Sequence, residues 1–307
     1  MAKRHYKVGQ GGYMQKTAVE ETDGANANAS VPTPNPTLFD QLLYPPPTAD
    51  NSLPHVTPAM LCDMLTSQGL EVLRHAPARA NKPGTSPATV RRVFRWFVPI
   101  ARESTACTTP ACVPDTQLLF VCEFHNAVTL LDERPGAFAL VLLDDATPLE
   151  TFDAYRERTI VIRKHNRTSY MAFMLQTYFI RILIWENDLE RLSLRKASLT
   201  EMLDASAAMI GNFIFVSDNN FNVIARTTTI DPPDDLHRSI IANGCLTSAT
   251  IAEKRFRLPE KAFYTRAASD ITPFDRVSSP IHINHSYFGS ISMSCNAMPD
   301  TEGLRDL

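Results

Sequence analysis

The stretch NFIFVSDNNFNVIA at 212–225 runs apolar, turns polar at 217–220 and runs apolar again, a pattern that predicts a β-hairpin. A second hairpin is predicted in SPIHINHSYFGSISMSC at 279–295, with Asn284, His285 and Ser286 at its turn and a bend in the returning strand at Gly289. Side chains alternate along a strand, so Ile281 and Ile283 share a face, as do Ile291, Met293 and Cys295. Between the two strand pairs, Asp234 or Asp235 can cap a helix over 234–243 that Gly244 closes.

The first half of the chain reads differently. Residues 1–37 show no sustained hydrophobic period, and prolines continue through YPPPT to Pro58, so 1–55 is expected to be a disordered tail and Pro-rich linker. Pro58 at a first helical position, with Met60, Leu61, Met64 and Leu65 at helical spacing, predicts a helix that Gly69 ends. Four strand-like segments follow at 90–100, 117–124, 137–143 and 159–163, separated by helix-compatible stretches at 128–134 and 148–158. Dense apolar strands alternating with helices imply a parallel sheet covered on both faces, and 56–167 is read as an α/β domain. Asp144 and Asp145 follow the third of these strands, where open sheets bind ligands, but no phosphate-cradling glycine motif accompanies them; they read as a polar strand end.

From 169 to 210 there is neither proline nor glycine, and a heptad seam runs through Tyr178, Ile182, Trp185, Leu189, Leu192, Lys196, Leu199, Leu203, Ser206 and Ile210. With Ile182 and Leu189 at a positions, Arg181 and Glu186 fall at g and e, as in an interchain ion pair, and Lys196 is a polar a residue. A connector and dimerisation helix over 168–198 is expected, although the breadth of the apolar face also fits packing within the chain. Ser198 and Glu201 form a capping-box signature, which leaves open whether the helix is continuous there.

Composition narrows the function. At 307 residues the chain suits roughly two domains, and a net charge of −3 with scattered basic residues gives no electrostatic footprint for nucleic acid. The basic and aromatic stretch 254–266 reads as pocket wall or packing. No apolar run approaches the roughly 20 residues of a membrane span, 1–10 is too polar for a secretory signal, and six sparse cysteines indicate a reducing cytoplasm. Cys107 and Cys112 are spaced poorly for zinc, and His282 and His285 lie across a turn, so no metal or other cofactor is expected. None of the eight histidines sits in a hydrolase or metalloprotease motif, and the chain is read as non-enzymatic.

Strand pair, helical insert, strand pair is the order of PAS-like and GAF-like modules, which fold one antiparallel sheet around a small pocket. More broadly, LLFVCEF, GAFALVLLDD and RTIVIRKH, the connector YMAFMLQTYFIRILIWENDLERL and the two hairpins resemble the sensory half of PucR/CdaR-type (purine-catabolism-regulator-like) transcription regulators over about 57–300. The resemblance implies an α/β plus α+β chain: the α/β domain, the connector, and a PAS/GAF-like sensory domain at 199–307, truncated at its C-terminal end. It implies a homodimer that senses a small effector and reaches DNA only through a C-terminal helix-turn-helix module absent from this sequence. A sensor for another output such as a kinase, or an unrecognised enzyme, is the alternative. The expected pocket lies between the second sheet and its insert, lined by Phe213, Phe215, Tyr264, Ile281, His282, Ile283, Ile291 and Met293, and suits a small, partly aromatic or heterocyclic metabolite.

Overall fold

The computed structural model describes residues 53–75, 92–100, 113–163, 168–248, 264–269 and 272–307, with backbone alone at His75 and Tyr264. The expected tail up to residue 52, the Cys107–Cys112 pair and the basic–aromatic residues 254–263 lie outside the described residues. Among the described residues the chain is mixed α/β with two five-stranded sheets. Among the described residues no helix is long and apolar enough to cross a membrane.

Helix α1 (Pro58–Ser67) starts where expected: the Thr57 hydroxyl accepts the Met60 N–H at 3.2 Å, proline occupies the first turn, and Gly69 follows at φ +74°. Strands β1 (Val72–His75), β2 (Trp96–Ile100), β3 (Leu118–Glu123), β4 (Phe138–Leu143) and β5 (Thr159–Arg163) form the first sheet in the order β1-β5-β4-β3-β2. The four predicted strands are parallel, and β1, whose short VLRH sequence carries no clear period, adds antiparallel to β5 at the edge. Every residue of β4 is buried, as a sheet covered on both faces requires. Helix α2 (Phe124–Glu133) joins β3 to β4, whereas 148–158 winds only into a 3-10 turn over Leu149–Tyr155 that buries Phe152. At the end of β4, Asp144 ties the turn by accepting the Thr147 N–H and hydroxyl at 2.8 and 2.6 Å, and the exposed Asp145 lies 3.6 Å from Arg163 at the end of β5.

The connector is two helices, α3 (Thr168–Leu194) and α4 (Leu199–Ile210). Ser198 accepts the Glu201 N–H and the Glu201 carboxylate accepts the Ser198 N–H, so the capping box starts a new helix. Lys196, expected as an a residue of a continuous seam, instead holds φ +55° in the turn between them.

Strands β6 (Phe213–Asp218), β7 (Val223–Arg226), β8 (Tyr264–Arg266), β9 (Arg276–Ile283) and β10 (Ser286–Ser294) build the second sheet, all antiparallel, in the order β7-β6-β10-β9-β8. The β9–β10 turn is the two-residue Asn284–His285 loop, with φ +49° and +65°. The register slips between Tyr287 and Gly289, where a side-chain carbon on Gly289 would fall 2.1 Å from the Ser217 carbonyl oxygen. The β6–β7 tip is displaced from its expected place: Ser217 is a fully buried strand residue, and Asp218 ties the turn by accepting the Asn220 and Asn222 N–H groups. Helix α5 (Asp235–Asn243), capped by Asp234 and closed by Gly244, covers one face of the sheet.

The short helix α6 (Glu302–Asp306) returns to α1. Its cap residue Thr301 donates to Asp63 of α1, while Thr57, the cap residue of α1, donates to Asp306, both at 2.5 Å. Gly303 lies at the crossing, where an added side-chain carbon would meet Asp63 Oδ2 at 2.3 Å and the Ala59 oxygen at 2.6 Å.

Candidate functional site

On α4 the apolar residues Leu203, Ala207 and Ile210 recur at helical spacing and turn one stripe toward the second sheet. The facing sheet surface is built of cross-strand rows, since Ile214, Met293 and Val277 pair side by side, as do Val216, Ile291 and Ser279. Between stripe and rows lies a cavity of about 380 Å³, bounded also by Trp185 and Leu189 of α3 and by Leu304, Arg305 and Leu307 at the end of the chain. That volume falls within the range of small-molecule sites. Ser206, Ser279 and Arg305 are the polar residues on a wall otherwise apolar. The Ser206 hydroxyl is spent on the Met202 carbonyl at 3.0 Å. Arg305 clamps Asp300 through Nε and Nη2 at 2.7 and 2.5 Å, and Nη2 also reaches Thr265 Oγ1 at 3.1 Å. Burial, helped by Asp300 and Asp275, pushes the adjacent Cys295 thiol up to about 12, so it stays protonated and chemically quiet.

The expected ligand residues divide over the sheet. Ile291 and Met293 wall the cavity, and Ile281 packs on the same cluster. Phe213 and Phe215, expected to close that pocket, point to the opposite face and pack with Phe221, Ile240 and Leu246. The cavity therefore opens toward the connector, not the insert, because the residues of β6 that share a face with Met293 are Ile214 and Val216. Ile283 is 52% exposed beside the hairpin turn, and His282 is exposed with its ring 6.0 Å from that of Tyr287. The Tyr264 side chain lies outside the described residues.

The insert face holds features that a search for apolar positions passes over. Ser217 bonds Ser290 at 3.1 Å and Ser278 bonds Ser292 at 2.9 Å, a hydroxyl ladder across three strands, while the fully buried Ser294 Oγ has no partner. His237, 2% exposed, stands 2.7 Å from Asp234 through Nδ1 and sets its ring edge-on to Phe213 and Phe215. Burial pushes the Asp234 carboxyl up, but the nearby Thr272 hydroxyl and the bonds from His237 outweigh it and hold the group below its usual range. The signal in the sequence was the Ser290, Ser292, Ser294 alternation, the complement of Ile291, Met293 and Cys295.

The seam residues on α3 are engaged within the chain, whereas Leu199 at the start of α4 is 46% exposed. Ile182 and Leu192 are buried, Trp185 and Leu189 wall the cavity, and the Tyr178 hydroxyl donates to the Met60 carbonyl at 3.3 Å. Glu186 accepts the His55 N–H at 3.2 Å, and Arg181 reaches Met209 Sδ at 3.8 Å. The large apolar side chains that α3 exposes are others, among them Phe173 and Ile184. Among the described residues no group of three or more His, Cys, Asp and Glu is placed to hold a metal ion.

A scan against protein-family models and a search of curated proteins both return no match for this chain.

Proposed function

We propose that the chain is a non-enzymatic small-molecule-sensing region, with a PAS/GAF-like second module of the kind that the resemblance to PucR/CdaR-type regulators implies. One antiparallel sheet with a helical insert between its strand pairs supports the module assignment. The observation that carries the sensing role is the cavity of about 380 Å³, because its wall combines the second sheet with α3 and α6, the two helices that also touch the first half of the chain. A ligand there contacts the second sheet together with two helices that themselves pack on the first half, as an input that must be relayed requires.

Thermal-shift screening of a metabolite library tests this. A ligand that binds the folded chain raises its melting temperature by mass action. Met293→Trp and Leu203→Phe each put bulk into the cavity, and hits are expected to lose their effect in both. Hits that stabilise both variants as strongly as the parent chain would place binding elsewhere and overturn the reading; two substitutions on different elements guard against one that merely unfolds.

A further inference from the structure

The character of the cavity wall restricts what it can hold. Its apolar lining comes from both sheet and helices, and its volume corresponds to about 15 non-hydrogen atoms, scaling from the ~150 Å³ cavity that accepts benzene. An ion moved into such a site needs a partner of opposite sign, since an uncompensated buried charge is strongly unfavourable. Arg305 is the charged residue on the wall, and it is already neutralised. Asp300, whose side chain is only 6% exposed, holds it through two hydrogen bonds. Asp275 and Asp300 also act on neighbouring Cys295, so the surroundings of Arg305 carry no excess positive charge for an anion. A cation fares no better, because the carboxylate it would need is committed to Arg305.

We propose that the cavity selects a neutral, compact, predominantly apolar molecule and rejects both acids and amines of the same shape. This rests on the cavity being the sensing site, and it adds the ligand class. Asp300 is then a specificity determinant that acts through Arg305, without needing to touch the ligand.

The two tryptophans provide the readout. Trp185 walls the cavity and Trp96 belongs to the first sheet, so Trp96→Phe leaves one indole reporting on occupancy. Three non-fluorescent probes share one body and differ in charge: 1-adamantanemethanol, 1-adamantanecarboxylate and 1-adamantanemethylamine. The alcohol is expected to change Trp185 emission saturably, with a Kd at least tenfold below those of the carboxylate and the ammonium. In Asp300→Asn the unpaired Arg305 should reverse the order and bring the carboxylate ahead of the alcohol. A carboxylate or ammonium that binds the parent chain as tightly as the alcohol overturns the neutral-ligand assignment while leaving the cavity a binding site. An unchanged preference in Asp300→Asn likewise overturns it, by removing the Asp300–Arg305 pair as its cause. No change in Trp185 emission with any probe up to millimolar concentration overturns both this assignment and the sensing reading.

Discussion

Thr301 donates its hydroxyl proton to Asp63, 238 positions earlier in the chain, while the same oxygen accepts the Leu304 N–H that starts α6. Thr57 repeats the arrangement at the other end, accepting from Met60 and donating to Asp306. Each helix thus supplies the carboxylate that fixes the other's capping hydroxyl. Forming one cap helps to form the other, which joins the first helix of the α/β half to the last helix at the cavity wall.

Thr301→Val removes both a cap and a bond to a carboxylate, and is expected to cost about 1–2 kcal/mol in urea unfolding. A double-mutant cycle with Thr57→Val should show the two losses to be non-additive, since they act on one pair of helices. Additive losses would mean that the caps form independently.

Ser294→Ala deletes a buried hydroxyl that lacks a partner, and is expected to leave stability unchanged or raise it by about 1 kcal/mol. Ser292→Ala strands Ser278 and should lower stability by about the same amount. Denaturant midpoints of the two single variants measured side by side decide the matter.

Gly289→Ala forces a methyl group into the Ser217 carbonyl, where backbone must shift, and should cost about 1–3 kcal/mol. Asn284→Gly, at the left-handed hairpin turn, is expected to have little effect or to stabilise slightly, which separates a clash from general sensitivity of this hairpin. Thermal melts of both variants provide the comparison.

Acid should weaken the fold through its hydrogen-bonded carboxylates. Bonds from Thr147 lower the Asp144 value; at Asp204 and Asp234 burial pushes up, but bonds from Thr228 and Thr229 at the first, and bonds from His237 with the nearby Thr272 hydroxyl at the second, pull the net value down. A folded value below the unfolded one gives stability that is present above the unfolded value, about 3.9 for Asp, and is lost as pH falls toward the folded value. Melting temperatures are therefore expected to drop below about pH 4. Asp234→Asn keeps a capping side chain and should flatten part of that slope; an unaltered slope would show that Asp234 does not contribute to it.

Much of the secondary structure could be read from residue pattern because local chemistry specifies it: Thr57 before proline, Ser198 three residues before Glu201, and Asn284–His285 between alternating strands. What escaped was the assignment of faces. In FIFV every residue is buried, so Phe213 and Phe215 carry no sign of which side they take, and only pairing with β10 separates them from Ile214 and Val216. Likewise the seam from Tyr178 to Leu192 records that one side of α3 is covered, and a heptad pattern does not distinguish a second chain from α1, α4 and a sheet. The turn at Lys196 was ambiguous because its neighbours are good helix formers.

The elbow from Arg195 to Ser198 has a further consequence. It folds α4 back along α3, so the distance between the stripe carrying Leu203 and the residues Trp185 and Leu189 is a matter of backbone geometry, held by a left-handed lysine on one side and a capping box on the other. Substitutions at Ile210, Met293 or Leu307 then alter one wall of the cavity at a time without touching the elbow that sets the two helices against each other.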